Sequence, residues 1–244
     1  MAAPGDVMFY EAVPERAGEM AEKTGAARAA SVAEVVGGSD LFFVCVKPDQ
    51  FAGIAGEIKS AWKKRSPVCA TIMAGVKTAA IREKTVPEMP VIRIMPNVAC
   101  TVRKGVAGLA AAADAPESVN QFVFRLFEEL GGAVWVKEAA MDAVTAMSGS
   151  GPAYVFMFVE AFTDAGVRIG LDRATAGNLA MRTVAGAAEM MIKSGANTLD
   201  LRAQVSSPGG TTVAGTSVLE RTGFRSSIIE AVRAAWERSL ELGR

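Results

Sequence analysis

No histidine occurs among the 244 residues. That removes imidazole acid–base catalysis, serine–histidine nucleophilic pairs and most zinc sites. Cysteine is scarce too. Cys45, Cys69 and Cys100 form an odd set without metal-site spacing, each embedded in apolar sequence. They read as buried free thiols in a reducing compartment, so the chain is expected to be cytoplasmic and to hold no metal. An excess of charge is also missing, since 26 Lys and Arg balance 26 Asp and Glu. Such neutrality argues against nucleic acid as the main partner. No apolar run reaches the roughly 18 residues of a membrane span, and the first residues show no basic, apolar leader pattern, so no membrane partner is expected.

Half of the residues are hydrophobic, enough for one large domain or two small ones. The first half alternates short apolar runs, at 7–10, 41–46, 68–73 and 91–95, with helical periods at 14–23, 50–63 and 77–84. Strand–helix alternation of this kind predicts an α/β fold with a doubly wound parallel sheet. Further strands are expected at 105–111 and 133–137, with a helix over 116–130 between them. After Glu138 the strand signals stop, and 141–166, 173–193, 212–221 and 224–242 have helical periods. Two domains are therefore expected, 1–137 and 138–244. The second is rich in small residues such as Ala143, Gly149, Gly151 and Ala165, and runs such as 184–192, VAGAAEMMI, are strongly apolar. Such a face is either an ordinary bundle core or a subunit interface.

The chemistry concentrates in residues 201–215, LRAQVSSPGGTTVAG. Pro208 stiffens the approach, and Gly209 and Gly210 admit backbone angles closed to other residues. Thr211 and Thr212 then stand in N-cap chemistry at an expected helix start. Free N–H groups at the positive end of a helix suit a small anion such as a carboxylate. An isolated Gly-Gly would be an ordinary connection, but a second polar glycine run, SGSGP at 148–152, favours function. In the first half, three strand ends carry turn chemistry: Cys45-Val46-Lys47-Pro48, Ile72-Met73-Ala74-Gly75 and Met95-Pro96-Asn97. In an open parallel sheet such ends outline one ligand crevice.

These segments resemble pyrroline-5-carboxylate reductase. The resemblance rests on 205–215, VSSPGGTTVAG, and on 141–154, MDAVTAMSGSGPAY, with VKP at 46–48 and RIMPN at 93–97 in support. It runs from about Val7 onward. It implies a Rossmann-like sheet followed by an all-helical dimerisation domain. The implied enzyme is an oxidoreductase that transfers hydride from NADPH or NADH to the C=N bond of 1-pyrroline-5-carboxylate, giving L-proline. The implied cofactor-binding residues are Glu11, Cys45, Val46, Lys47, Pro48, Ile72, Ala74, Met95, Pro96 and Asn97, with Lys47 supplying positive charge and Asn97 an amide. The implied substrate-binding residues are Glu138, Gln204, Ser206, Ser207, Gly210, Thr211 and Thr212. Thr212 is expected as the catalytic hydroxyl, bonded to the ring nitrogen, and the N–H groups of Gly210, Thr211 and Thr212 as the carboxylate nest. A homodimer, or a higher ring of dimers, is implied as the assembly.

The sequence also departs from the family pattern. Relatives open with a strand and a G-x-G-x-x-x loop, roughly 30 residues with the helix that follows, whereas residues 1–6 here read as the linker before the second strand. The sheet is therefore expected to be N-terminally truncated, with open edges on the 7–10 and 41–46 strands, and the chain from Met1 to bind a dinucleotide poorly. Glu11, Ala12 and Val13 replace the arginine and hydroxyl residues common near that strand end, and Ser31-Val32 replaces an asparagine. Glu11 either bonds a free ribose hydroxyl and repels a 2′-phosphate, or is a solvated strand-end charge. Arg16, one turn into the helix, could compensate. Glu138 either lies near bound product or is a helix-start carboxylate favoured by the dipole. Two other functions compete. A hydroxy-acid dehydrogenase would need a lysine or histidine in the helical domain, where Lys193 lies near a helix end. A non-catalytic helical dimer would have lost cofactor binding through truncation.

Overall fold

Strand β1 (Met8–Phe9) pairs in parallel with β2 (Ala27–Arg28), and helix α1 (Pro14–Thr24) connects them. Gly25, at φ 67°, stops α1 in the left-handed conformation that glycine adopts without strain. Helix α2 (Val32–Gly38) follows, with the Ser31 hydroxyl accepting the Glu34 N–H at 3.1 Å. In this computed structural model, which describes residues 3–243, a second sheet then forms in the order β3-β4-β5-β6-β7. Its strands are β3 (Leu41–Val44), β4 (Val68–Thr71), β5 (Val91–Pro96), β6 (Ala107–Ala110) and β7 (Ala133–Trp135). Between them run α3 (Phe51–Trp62), α4 (Thr78–Lys84) and α5 (Glu117–Glu128).

The side-chain period of two explains the layers. Phe42, Val44, Cys69 and Val91 point to one face, where they pack with Val36, Phe51, Ile58 and Ile81. Val68, Ala70, Ile92 and Ile94 point to the other, where they meet Leu109, Val123 and Phe127. With both faces covered, β4 is buried along its whole length, as a central parallel strand must be. One expectation fails here: β6 runs antiparallel to β5. The connection from Asn97 through a short 3-10 turn (Val98–Val102) is too brief for a crossover, so the chain doubles back. The first strand is also shorter than expected. Among the described residues Met8 and Phe9 pair with β2 and β3 pairs with β4, each at the edge of its sheet.

By its internal contacts the chain divides into two units, Met1–Gly149 with Trp236–Arg244, and Ser150–Ala235. Residues 138–149 thus pack with the first unit, on the far side of the boundary expected at 137/138. Helix α6 (Met141–Val144) belongs with the first unit because Gly108 leaves room for Val144: a methyl on Gly108 would lie 2.6 Å from a Val144 methyl. Nor does a single helix run over 141–166. A π-helical turn (Thr145–Gly149) intervenes, with the Thr145 and Ser148 hydroxyls donating to the Met141 and Val144 carbonyls at 2.9 Å each.

The second unit is wholly helical: α7 (Gly151–Arg168), α8 (Arg173–Ser194), α9 (Thr198–Gln204), α10 (Thr211–Arg221) and α11 (Phe224–Leu242) as far as Ala235. Pro152 sits in the first turn of α7, where its missing N–H costs nothing. Asp172 caps α8 by accepting the Thr175 N–H at 3.0 Å. Gly166 brings α7 against α8 so closely that a methyl there would lie 2.9 Å from Ala176 Cβ. Neither α2 nor α9 follows from the sequence pattern. Each is a seven-residue helix, too short to establish a period.

Gly105 has no room for a side chain, since an added methyl would overlap the Cys100 backbone and thiol, whereas Gly56 on α3 faces open space. Gly105→Ala is expected to destabilise the fold by about 1–3 kcal/mol or more, and Gly56→Ala to stabilise it by about 0.5–1 kcal/mol. Denaturant midpoints of the two variants check this.

Candidate functional site

In the first unit the carboxyl ends of β3, β4 and β5 lie side by side; the sequence-predicted residues Cys45 to Pro48 follow β3, Ile72 and Ala74 follow β4, and Met95 and Pro96 end β5 with Asn97 just beyond. The Ile72 N–H reaches across to the Val44 carbonyl at 3.2 Å. Thr71 is buried, and its hydroxyl accepts the Met73 N–H at 3.2 Å, turning the chain out of β4. The turn completes at Gly75, with φ at 74°. Lys47 begins a short 3-10 turn, its N–H donating to Gln50 Oε1 at 3.3 Å, while its side chain is exposed. Asn97 Oδ1 accepts the Ala99 N–H at 3.1 Å, so its amide nitrogen is the group left to donate. Gly149 lies over Met95, where a methyl would come within 2.5 Å of Met95 Cε. Lys47 is exposed and Asn97 half-buried, so both side chains can donate to a ligand at the carboxyl ends of adjacent strands.

Glu11 is placed differently. It follows the two-stranded sheet, and its Oε1 accepts the Val13 N–H at 2.9 Å. That carboxylate occupies the N-terminus of α1, whose first residue, Pro14, has no N–H. Among the described residues this helix start provides no cradle for a pyrophosphate.

Glu138 also has a local task. Its Oε1 accepts the Thr78 N–H at 2.7 Å and pairs with Arg93 Nη1 at 3.0 Å. Burial alone would push this carboxyl up, but the Thr78 and Arg93 hydrogen bonds outweigh it and hold the group below the usual carboxylate range. Arg93 is 6% exposed, in a strand of otherwise apolar neighbours. In the sequence Arg93 stands only as part of the RIMPN motif. The signal that could have singled it out is the charge itself, because a cation within a buried strand needs a carboxylate.

In the second unit, α9 runs to Gln204, and the chain turns through Gly209, at φ 71°. The N-cap of α10 is Gly210, not a threonine, and no side chain caps the helix. Thr211 and Thr212 are instead its first two residues. The nest also changes. The Gly210 N–H donates to the Ser207 carbonyl at 3.0 Å, so the open donors are those of Thr211, Thr212 and Val213. Ser206 spends its hydroxyl on the Arg202 carbonyl at 2.7 Å. Thr212 is half-buried, and its hydroxyl makes no hydrogen bond among the described residues. Beside the loop lies an open groove lined by Arg202, Ser206, Val213, Thr216, Glu220 and Arg221. Glu220 there pairs with Arg225 at 2.8 Å and Arg202 at 3.4 Å, and the Arg225 hydrogen bond holds its carboxyl low. No motif in the sequence marks this ion cluster.

Comparison with known proteins gives one picture. The family profile for pyrroline-5-carboxylate reductase dimerisation matches residues 138–242. Pyrroline-5-carboxylate reductase of Synechocystis sp. is 42% identical over 206 residues, which cover 84% of this chain and 76% of the relative. That of Corynebacterium melassecola is 37% identical over 243 residues, covering 99% and 90%. Among solved structures, the pyrroline-5-carboxylate reductase of Coxiella burnetii superposes with a TM-score of 0.94 at 30% identity, covering 99% of this chain and 90% of the other. The Plasmodium falciparum pyrroline carboxylate reductase with NADP bound gives 0.83 at 30% identity, covering 97% and 87%.

The Glu138 carboxyl is lowered on folding, so its contribution to stability is present above its unfolded pKa and is lost as pH falls through its folded value. Glu138→Gln is expected to cost about 1 kcal/mol at neutral pH, and the difference from the parent to shrink below about pH 4. Unfolding by urea at both pH values checks the sign. A gap that stays constant on acidification would contradict it.

Proposed function

This chain belongs to the pyrroline-5-carboxylate reductase family, and from that membership we propose that it reduces the C=N bond of 1-pyrroline-5-carboxylate to L-proline with NADPH or NADH. The observation that carries the proposal is the start of α10: three open backbone N–H groups beside the unspent Thr212 hydroxyl, within the 205–215 run. An anionic cyclic imine presents a carboxylate and a ring nitrogen, and this surface offers a donor set for each. The N–H groups of Thr211, Thr212 and Val213 receive the carboxylate, helped by the positive end of an 11-residue helix. The Thr212 hydroxyl holds the ring nitrogen.

The reaction asks little acid–base work of the protein. When the imine arrives protonated, its carbon takes the hydride and its nitrogen keeps the proton, so a chain without histidine is adequate. The dinucleotide supplies the hydride. The chain's own task is to hold the imine carbon at a near-attack distance of roughly 3–3.5 Å from the donor carbon. Lys47, Asn97 and the turns after Cys45, Ile72 and Met95 are assigned to the nicotinamide end. Gln204 and Ser207, both exposed, are assigned to the rim of the loop. We place Glu138 with the framework of the crevice through Arg93 and Thr78, because its Oε1 is already engaged there.

The choice between NADPH and NADH turns on Glu11. With its carboxylate held on Val13, a 2′-phosphate near the end of β1 would meet negative charge, and Arg16 in α1 is a cation that could offset it. Self-association follows from the matched dimerisation segment, and a homodimer, or a ring of such dimers, is the form we propose. Among the described residues no helix is long and apolar enough to cross a membrane. We place the enzyme in the cytoplasm, in keeping with three cysteines that remain free thiols. A non-catalytic helical dimer is not favoured, because relatives aligned over 99% of the chain are reductases.

Thr212→Val tests the assignment. Losing one hydrogen bond to the imine nitrogen should cost about 1–3 kcal/mol, roughly 5- to 150-fold in turnover at saturating dinucleotide, with little change in dinucleotide affinity. A valine variant that reduces 1-pyrroline-5-carboxylate at the parental rate would remove Thr212 from the mechanism.

A further inference from the structure

The end of α11 returns to the first unit, and there Ser239 is buried at 5% exposure. Its hydroxyl donates to Asp142 Oδ1 at 2.6 Å, joining residues 97 positions apart. The Gly243 N–H then donates to the Ser239 carbonyl at 3.1 Å, which keeps the last turn wound. That turn lies directly against the turn at the end of β4. A methyl on Gly243 would stand 3.0 Å from the Gly75 carbonyl oxygen, and a methyl on Gly75 would stand 3.7 Å from the Leu242 carbonyl. The contact is backbone on backbone, and both partners are glycines. The same turn is held at its far end by the Thr78 N–H on Glu138. Residues 73–78 are thus fixed at two points, and both fixings lead back to the segment that carries Glu138 and Asp142.

We propose that Ser239 and Asp142 are positioning residues: their hydrogen bond latches the last turn of α11 onto Gly75 and so sets the β4 rim of the dinucleotide crevice. The proposal rests on the assignment of that crevice to the nicotinamide. Neither residue touches the ligand. Their effect passes through Gly75, whose left-handed conformation has few alternatives once a neighbouring backbone closes over it.

Two variants separate the latch from general stability. Ser239→Ala removes the hydrogen bond. Gly243→Ala keeps it but presses on the Gly75 carbonyl. Hydrogen exchange of the full chain should show the amides of residues 73–77 opening about tenfold faster in Ser239→Ala, while the amides of β5 and α5 stay protected. In both variants the KM for dinucleotide should rise about 5- to 10-fold, with kcat and the KM for the imine within about twofold of the parent. Unchanged exchange at 73–77, or a rise spread evenly over the first unit, would overturn the latch. So would faster exchange at 73–77 with an unaltered dinucleotide KM. Loss of the reductase assignment would look different: the unmodified protein would fail to oxidise NADPH or NADH with the imine. The dinucleotide part of the proposal would fall with it, and the exchange data would still decide whether Ser239 holds the turn.

Discussion

The constraint on which the rest depends is that the second unit cannot bury itself. Among its described residues only Thr163, Ala176 and Ala180 are buried, while Phe156, Met157, Leu179, Ile192 and Ile229 face outward, Met157 at 73% exposure and Ile192 at 77%. Gly166 against Ala176 and Gly177 beside Thr163 bring α7 and α8 together through small residues. The large apolar side chains are thereby left on the outside. Large apolar side chains exposed in that number call for a cover, and the matched segment, 138–242, is the dimerisation segment of the family. A second copy would supply the same helices with the same exposed faces, the self-complementary arrangement of a two-fold interface.

The first unit solves its burial alone. Alternating side chains of β3, β4 and β5 fill two cores, and the ends of the same strands carry the polar turns. Packing and polar turns are therefore separated along each strand: the middles fill the cores, and the carboxyl ends stay available to a ligand. Arg93 is the exception. It brings a charge into the sheet, and Glu138 answers it from the segment that begins the helical region. One carboxylate neutralises a buried guanidinium and caps α4 through Thr78 at once. The geometry of the crevice thus depends on residues that the sequence assigns to the other domain.

Much of this was legible in the sequence because it rests on periodicity and on turn chemistry. The buried strands at Leu41, Val68 and Val91 announce themselves as apolar runs, and the loop at Pro208 to Gly210 as a breaker before a helix. What stayed hidden depends on tertiary partners. The reversal of β6 follows from a short connection rather than from any pattern in Ala107–Ala110. The packing of α6 on the sheet depends on the space that Gly108 leaves for Val144. Thr211 looked like a cap because threonine often caps. Gly210 takes the position because the turn needs its N–H on the Ser207 carbonyl, and any β-carbon there would collide with Ser207. Ser239 gave no signal at all, since one serine in an amphipathic helix is ordinary until its buried partner is seen.

Sedimentation of the purified chain over a wide concentration range, followed alongside its helical circular dichroism, tests the central claim most directly. If the helical unit is completed by a second copy, the folded protein sediments as a dimer or a larger even-numbered assembly. Dilution into monomer then carries a loss of helix with it. A monomer that keeps its full helical signal at micromolar concentration would contradict the account, because the exposed apolar faces of α7, α8 and α11 would then need no partner.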